Sequence, residues 1–126
     1  MPYYCTEKIA GALNEDSKAV RGSRIAILGV SYKAGVGDLR ESPGLKIIRL
    51  LRDQGAEVVY NDAFVPELAG FGLRSQPLED VLDADVVAIL TVHPEFDIDR
   101  VMGESKLLVD FRGVTSGRAA ERVVRL

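Results

Sequence analysis

Four basic side chains of this chain follow predicted strands, at positions where they could bind an anion. Lys33 and Arg40 lie in one long loop, and His93 and Arg112 each follow a later apolar run. Lysine is a compact point charge, and the planar guanidinium of arginine matches two phosphate oxygens. Each charge-assisted hydrogen bond contributes about 1.5–3 kcal/mol, so two or three could hold a diphosphate. These residue types therefore predict an anion site.

Three of these basic residues also have a structural interpretation, and the residues alone leave both interpretations open. Arg40 could instead pair with Asp38 or Glu41 as a clamp. Arg112 could be an ordinary surface arginine. The single histidine stands beside Pro94 in a loop. A histidine in such a place is more often a structural hydrogen-bonding residue than a catalyst.

The residue types indicate neither a nucleophile nor a metal site. Cys5 is the only cysteine and lies in the first predicted helix, with no activating partner nearby in the sequence, which indicates a packing residue. One cysteine and one histidine cannot make a zinc site. The sequence also lacks a Walker loop, a nucleophile elbow and an H-E-x-x-H motif. We therefore predict no catalytic and no metal-binding residue in this chain.

A dinucleotide-binding loop is the next possibility, because Gly29, Gly35 and Gly37 follow the first predicted strand and Asp62 ends the second. The known fingerprint is a tight G-x-G-x-x-G turn that leads straight into a helix. Here the first two glycines are six residues apart, and the next helix begins only at Pro43. The spacing argues against NAD on this sheet, and we interpret Asp62 as a turn residue that binds its own backbone.

Apolar runs and helical patterns alternate along the chain. The predicted strands are Ile25–Leu28, Glu57–Tyr60, a marginal one near Leu73–Ser75, Asp85–Leu90 and Lys106–Asp110. The predicted helices are Tyr4–Asn14, one that begins at Ser42-Pro43 and ends at Gly55, Pro77–Leu82, a turn at Ile98–Met102 and Gly117–Leu126, with Ala63–Gly72 as a loop. This alternation predicts an α/β fold, a three-layer Rossmann-like sandwich with a mainly parallel sheet, preceded by an N-terminal helix.

The order of the strands decides whether the basic residues can meet. In doubly wound sheets, ligands bind beyond the carboxyl ends of the strands, where the strand order reverses. If the order is flavodoxin-like, the strands Ile25–Leu28 and Asp85–Leu90 are neighbours at that reversal. The four basic residues could then converge on one crevice.

Composition bounds the class of protein. The chain has 126 residues, Lys+Arg 16, Asp+Glu 19 and a formal net charge of −3, which predicts one domain with a modest core. Its slight acidity argues against a nucleic-acid partner. The longest near-apolar run, Val86–Val92, is too short to span a bilayer, and the first residues lack the pattern of a signal peptide. A single cysteine forms no internal disulfide and fits a reducing compartment. We therefore predict a cytoplasmic protein with no nucleic-acid and no membrane partner.

The segment Tyr32–Pro43 resembles a signature of the C-terminal domain of UDP-glucose/GDP-mannose dehydrogenases: an aromatic residue and a lysine, then Asp-x-Arg-Glu-Ser-Pro. Further segments in family order are Gly55–Val58, Tyr60–Asp62, Ala84–Val87, Thr91–Phe96 and Asp110–Arg112. The resemblance covers residues 24–114. The first helix is similar to the end of the central helix through which the family dimerises, so we predict residues 1–20 as that helix end and a linker, and 21–126 as the C-terminal UDP-sugar-binding domain.

The resemblance implies an activity and roles for four residues. The family oxidises the C6 alcohol of a nucleotide sugar to a carboxylate, giving a uronic acid, in two NAD-dependent steps. Its N-terminal domain binds most of the NAD, and its C-terminal domain holds the nucleotide. By position, Tyr32, Lys33 and Arg112 match substrate-binding residues, and Arg40 matches the arginine that reaches the NAD. Gly113 follows Arg112 where the family commonly has asparagine.

The chain lacks the family's glycine-rich cysteine motif and its NAD fingerprint. At 126 residues it is also too short for a complete two-substrate dehydrogenase. The expectation is therefore a C-terminal domain fragment without activity of its own. Its expected partners are a UDP-sugar substrate and the missing N-terminal and central domains of the parent enzyme. The parent enzyme is expected to be a homodimer or higher oligomer. The residues of Tyr32–Pro43 and Tyr60–Pro66 resemble those of UDP-N-acetylhexosamine 6-dehydrogenases, chiefly the UDP-N-acetylglucosamine type.

Two alternatives come from other classes of protein. One is a non-enzymatic Rossmann-like interaction or oligomerisation module that would use its first helix as the working surface. The other is a flavodoxin-like receiver domain, which needs an acidic cluster at the strand ends. The cationic loop argues against the receiver.

Overall fold

Strands and helices alternate along the chain, as the sequence pattern predicts. The computed structural model describes residues 2–31, 42–94, 96–117 and 123–125. The helices are α1 (Pro2–Glu15), α2 (Pro43–Asp53), α3 (Leu78–Val81) and α4 (Ile98–Glu104). The strands are β1 (Arg24–Leu28), β2 (Glu57–Asn61), β3 (Glu67–Leu68), β4 (Leu73–Arg74), β5 (Val86–Ile89), β6 (Leu108–Asp110) and β7 (Val123–Arg125). A 3-10 turn follows β3 at Ala69–Phe71.

Five strands form one parallel sheet in the order β2-β1-β5-β6-β7. The order reverses between β1 and β5, which are hydrogen-bonded neighbours. Counted within this sheet alone, the order is the flavodoxin-like 2-1-3-4-5. The prediction that the first strand and the Val86–Ile89 strand meet at the reversal is therefore confirmed, and the crevice lies beyond their carboxyl ends.

Two apolar layers cover the sheet, one on each face. Along β1 the buried side chains alternate, with Ile25 and Ile27 in one cluster and Ala26 and Leu28 in the other. The first cluster includes residues of α1 and α2, and the second includes residues of α3 and α4. A strand covered on both faces appears in the sequence as a continuous apolar run. The three-layer α/β prediction is confirmed.

The ends of α2 follow from local chemistry. The Ser42 hydroxyl accepts a hydrogen bond from the Gly44 N–H at 3.2 Å, and Pro43 takes the first helical position, where no N–H is needed. After the helix, Gly55 has a φ of +93°. This confirms the predicted start at Ser42-Pro43 and end at Gly55. Cys5 is 4 % exposed within the core, which confirms it as a packing residue.

The predicted helix Gly117–Leu126 is wrong where the structure describes it. Val123–Arg125 is instead β7, a parallel strand in which Val124 pairs with Val109 of β6. Without β7, β6 would leave unpaired backbone groups at the sheet edge, and a β-branched Val-Val pair suits a strand. The predicted loop Ala63–Gly72 also contains β3, whose two residues pair antiparallel with β4. A strand of two residues has no detectable sequence period.

Asp85 secures the amino end of β1. Its carboxylate accepts a hydrogen bond from the Arg24 N–H at 2.8 Å and one from Lys18 Nζ at 3.0 Å. The backbone hydrogen bond from Arg24 and the hydrogen bond from Lys18 hold the pKa of Asp85 below its ordinary value.

None of the described helices is long and apolar enough to cross a membrane.

Gly29 allows the chain to leave β1 close to β5. Its φ is +83°, and a Cβ at this position would lie 2.7 Å from Thr91 Cβ and closer still to the Thr91 backbone oxygen. Gly22 has the same φ of +83°, but a Cβ there would have nothing within 4 Å. The two glycines therefore separate backbone strain from a steric clash.

We predict that Gly29→Ala destabilises the chain more than Gly22→Ala. The left-handed backbone costs about 1–2 kcal/mol for an alanine at either position. The clash with Thr91 adds about 1–3 kcal/mol for Gly29→Ala alone. Urea unfolding followed by circular dichroism measures both variants. Equal losses would contradict the close approach of Gly29 to Thr91.

We predict that Asp85 stabilises the fold at neutral pH and not in strong acid. Because its folded-state pKa lies below the ordinary value of 3.8, its contribution is full above that value and is lost as the pH falls through the folded-state pKa. Asp85→Asn should cost about 1–2 kcal/mol at neutral pH. The difference from the wild type should shrink in urea unfolding as the pH falls below 3.8 and through the folded-state pKa. A difference that stays constant with pH would contradict this role.

Candidate functional site

The buried carboxylate of Asp62 joins the loops that follow β1, β2 and β5. Asp62 is 1 % exposed and follows β2 directly. Its Oδ2 accepts hydrogen bonds from the Val30 N–H at 2.8 Å and the Ser31 N–H at 3.1 Å, just beyond β1. Its Oδ1 accepts from the Phe64 N–H at 2.9 Å and lies 2.8 Å from His93 Nε2. One side chain thus connects three strand ends.

The bond from Phe64 confirms Asp62 as a turn residue that binds its own backbone, but the turn is only part of its role. Both carboxylate oxygens are occupied by N–H groups of the protein, and the side chain is 0 % exposed. The carboxylate that ends β2 in a dinucleotide-binding fold faces a ribose hydroxyl. Asp62 is turned inward, so it cannot serve a bound ribose in this way.

His93 contacts the Asp62 carboxylate from the segment after β5. Its Nε2 lies 2.8 Å from Asp62 Oδ1 and 3.2 Å from Ser31 Oγ, and its side chain is 10 % exposed. The Phe64 ring stacks on the imidazole with centroids 4.5 Å apart. A Ser-His-Asp nucleophile needs the serine and the aspartate on opposite ring nitrogens. Here both approach Nε2, so the arrangement is not such a triad, and these contacts favour the structural interpretation of His93.

The loop between β1 and α2 carries three of the four predicted site residues. Tyr32, Lys33 and Arg40 lie outside the described residues, so their roles stay predictions. The described ends of the loop do meet, because the Ser42 hydroxyl donates a hydrogen bond to the Val30 carbonyl. The loop therefore begins and ends at the switch between β1 and β5, with the amino end of α2, a favourable place for an anion, beside it.

Arg112 stands at the same edge, in a turn that Asp110 organises. Asp110 is 1 % exposed. Its Oδ1 accepts from the N–H groups of Arg112 and Gly113, both at 2.9 Å. Its Oδ2 accepts from the Thr115 N–H at 2.8 Å and the Thr115 hydroxyl at 2.6 Å. Burial alone would raise the pKa of Asp110, but the hydrogen bonds from Thr115, Arg112 and Gly113 outweigh burial and hold it below its ordinary value.

The turn leaves the Arg112 side chain exposed to solvent. Gly113 has a φ of +74°, in the left-handed region where glycine is favoured and asparagine is also tolerated. Glycine in place of the family's common asparagine therefore suits the same turn. Arg112 follows β6, which is two strands from β1 in the sheet. That separation is about 10 Å at ordinary strand spacing, a distance that a nucleoside diphosphate can span.

Two concave regions differ in chemistry. A cavity of about 140 Å³ opens at the β1–β5 switch, between Gly29, Asn61, Thr91 and His93. A larger open groove of about 700 Å³ runs along α1 and the amino ends of β6 and β7. The polar residues of that groove include Glu7, Glu15 and Asp16, with Lys8 as a basic one. The edge with Arg112 is the more favourable place for an anion, because the carboxylates of the groove along α1 would repel it.

Among the described residues, no group of three or more His, Cys, Asp or Glu could hold a metal ion. The acids at the strand ends, Asp62 and Asp110, are both occupied by N–H and hydroxyl donors. A receiver domain needs acidic side chains that face solvent at this edge. The arrangement therefore does not fit that alternative.

Sequence reasoning missed the supporting residues. The sequence predicted no role for Asp110, Thr115 or Thr91. In the structure, Thr91 Oγ1 donates to the Ser31 carbonyl at 2.9 Å, and Thr115 donates to Asp110 in the Arg112 turn. The available signal was an aspartate at or just after the end of a buried strand, which occurs twice, at Asp62 and Asp110. Such acids commonly accept hydrogen bonds from the backbone that follows them.

The chain matches the UDP-glucose/GDP-mannose dehydrogenase family, UDP binding domain, over residues 26–117. It is 36 % identical to a UDP-glucose 6-dehydrogenase of Rhizobium meliloti, over 75 % of this chain and 24 % of that protein. It is 46 % identical to a UDP-glucose 6-dehydrogenase of Rickettsia bellii, over 97 % of this chain and 30 % of that protein.

A solved structure shows the same architecture. The UDP-N-acetylmannosamine dehydrogenase of Pyrococcus horikoshii superposes with a TM-score of 0.79 at 25 % identity, over 98 % of this chain and 30 % of that one. The chain thus spans between about a quarter and a third of the length of these relatives. Since the family match covers most of the chain and the fold agrees, this chain belongs to the UDP-glucose/GDP-mannose dehydrogenase family and contains its UDP-binding domain.

Proposed function

We propose that this chain holds the nucleotide of a UDP-sugar for an NAD-dependent dehydrogenase that oxidises the C6 alcohol of the sugar to a carboxylate. The observation that carries the proposal is the edge at the β1–β5 switch. There the described ends of the loop 32–41 and the turn of Arg112 both lie beyond the carboxyl ends of the strands. Both belong to the segment that matches the UDP-binding domain.

The proposed contacts divide between two loops. Lys33 supplies a point charge and Arg112 a planar fork to the diphosphate, and Tyr32 packs against the nucleotide sugar. Arg40 reaches toward the NAD, whose chemical contribution is to accept a hydride. These roles come from the family resemblance and remain proposals. Burial of Asp62 and Asp110 at the same edge supports them, because neither acid faces the incoming anion.

We propose that most of the NAD site and the catalytic cysteine lie outside these 126 residues. Cys5 is buried in the core, and burial raises the pKa of its thiol. A nucleophilic cysteine needs an accessible thiolate. Cys5 therefore cannot form the thioester through which the second oxidation would pass.

The first helix supports a proposal about assembly. One face of α1 packs into the core through Ile9 and Leu13. Near its start, Tyr3 is 61 % and Tyr4 is 42 % exposed. We propose that residues 1–20 form the end of a central helix and a linker, that this exposed aromatic end contributes to a homodimer or higher oligomer, and that the protein acts in the cytoplasm.

The sugar is proposed only as a class. The relatives above are named for UDP-glucose and UDP-N-acetylmannosamine. That the sugar is UDP-N-acetylglucosamine, as the resemblance of the loop residues suggests, stays a prediction. All three share the UDP group, which is the part that this domain would hold.

We predict that UDP binds the isolated chain at the proposed edge. In a two-dimensional NMR titration up to millimolar UDP, amide signals of residues 32–41 and of Arg112 and Gly113 should shift. Lys33→Ala and Arg112→Ala should each weaken binding about tenfold or more, since each removes a charge-assisted hydrogen bond. Arg49→Ala, which removes an exposed positive charge from α2, is the matched control and should bind as the wild type does.

The absence of UDP-induced shifts at the edge would contradict the proposed function. Equal affinities in all three variants would remove Lys33 and Arg112 from the site. Sedimentation of the chain with and without residues 1–20 tests the interaction-module alternative beside this titration. Self-association through α1 without any UDP binding would favour that alternative.

We predict that the chain alone does not reduce NAD. The chain is mixed with NAD and with UDP-glucose or a UDP-N-acetylhexosamine. The absorbance at about 340 nm, where NADH absorbs and NAD does not, should not increase. The physical reason is that the sequence lacks the dinucleotide fingerprint that would hold NAD for the first hydride transfer, and its single thiol, needed for the second, is buried. NADH formation above a protein-free control would contradict this prediction.

A further inference from the structure

We infer that Asp62, together with His93, is a positioning residue for the loop 32–41, and that it tunes UDP binding without contacting the ligand. The inference rests on the proposed function for its consequence in binding. The positioning itself rests on hydrogen bonds among the described residues at the two ends of the loop.

The first step is the start of the loop. Val30 and Ser31 are the last described residues before it, and their N–H groups both point to Asp62 Oδ2, at 2.8 and 3.1 Å. Two adjacent N–H groups held by one oxygen determine the direction in which the backbone leaves β1. Because Tyr32 and Lys33 follow at once, Asp62 sets the point from which the proposed ligand contacts begin.

The second step is the end of the loop. The Ser42 hydroxyl donates to the Val30 carbonyl, and a Cβ at Gly44 would lie only 3.2 Å from Val30 Cα. Val30 is 1 % exposed, so its N–H and its carbonyl are both satisfied inside the protein, by Asp62 and Ser42 respectively. Both ends of the loop are therefore tied to one residue, which Asp62 holds in place.

The third step is the support from β5. His93 Nε2 lies 2.8 Å from Asp62 Oδ1 and 3.2 Å from Ser31 Oγ. Thr91 Oγ1 donates to the Ser31 carbonyl at 2.9 Å. The segment after β5 thus holds both the carboxylate and the residue that it orients, and the loop is anchored to two neighbouring strands.

A carboxylate suits this position because its partners are N–H groups. An ionised carboxylate only accepts and can accept up to about four hydrogen bonds, whereas an asparagine amide replaces one acceptor oxygen with an NH2 donor. In Asp62→Asn, that donor must face either the N–H groups of Val30 and Ser31 or those of Phe64 and His93. Buried donors that lose their acceptor are costly, so the loop end should shift to find other partners.

The experiment compares Asp62→Asn with Asp85→Asn in the full 126-residue chain. Asp85 is a matched control, because its carboxylate also accepts a backbone N–H of β1, from Arg24 at the opposite end of the strand. In the unliganded chain, Asp62→Asn should shift the amide signals of residues 32–41 and Asp85→Asn should not. Hydrogen exchange at Val30 and Ser31, measured relative to Ile27, should accelerate about tenfold or more in Asp62→Asn only.

The UDP titration then supplies the functional readout. Asp62→Asn should weaken UDP binding about tenfold or more, and Asp85→Asn should bind as the wild type does even where its unfolding midpoint falls. Folded Asp62→Asn with unchanged loop signals and unchanged exchange at Val30 and Ser31 would overturn the positioning role. A changed loop with unchanged UDP affinity would overturn the tuning of binding.

If Asp62→Asn does not fold, His93→Ala decides. It removes one of the four partners of the carboxylate and should produce the same changes in the loop signals and in UDP affinity, to a smaller extent. Unchanged signals in folded His93→Ala would then overturn the inference. A wild-type chain that binds no UDP would contradict the proposed function instead, and the unliganded loop signals would still decide the positioning role.

Discussion

The structure at the carboxyl ends of the strands depends on one buried carboxylate whose hydrogen bonds are all made inside the protein. Asp62 is surrounded by protein, and a buried charge is tolerated only when its hydrogen-bonding capacity is used. Its four partners come from the segments after β1, β2 and β5. These segments must therefore arrive at a single point, and the close approach of Gly29 to Thr91 is the steric condition under which they can.

The buried positions of Asp62 and Asp110 support the proposed anion site in a chain with a net charge of −3. Both acids stand at the carboxyl ends of strands, and both direct their charge inward to N–H and hydroxyl donors. The bonds to Asp110 shape the turn that leaves Arg112 in solvent. Net charge describes the whole surface, whereas binding depends on the few groups that face the ligand.

The sequence predicted the layered architecture well, because buried parallel strands appear as short apolar runs and α2 carries its own start and stop signals. It failed where the signal was ambiguous: Val123–Arg125 forms a strand because the edge of β6 was available to pair with it. It left the role of His93 open, since only the folded chain brings that residue to Asp62. The roles of Tyr32, Lys33, Arg40 and Arg112 came from the family resemblance and remain proposals.

By itself, the sequence determined which segments are strands or helices of the core and which family the chain resembles, and it predicted an anion site after the strand ends. These properties are local, because apolar periodicity, capping residues and a contiguous motif can all be found along the chain. Only the tertiary structure brought Asp62 and His93 into contact with each other and with the backbone that follows β1. The two residues are 31 positions apart in sequence. They meet because β2 and β5 both pair with β1, so the segments that follow these two strands converge beyond the carboxyl end of β1.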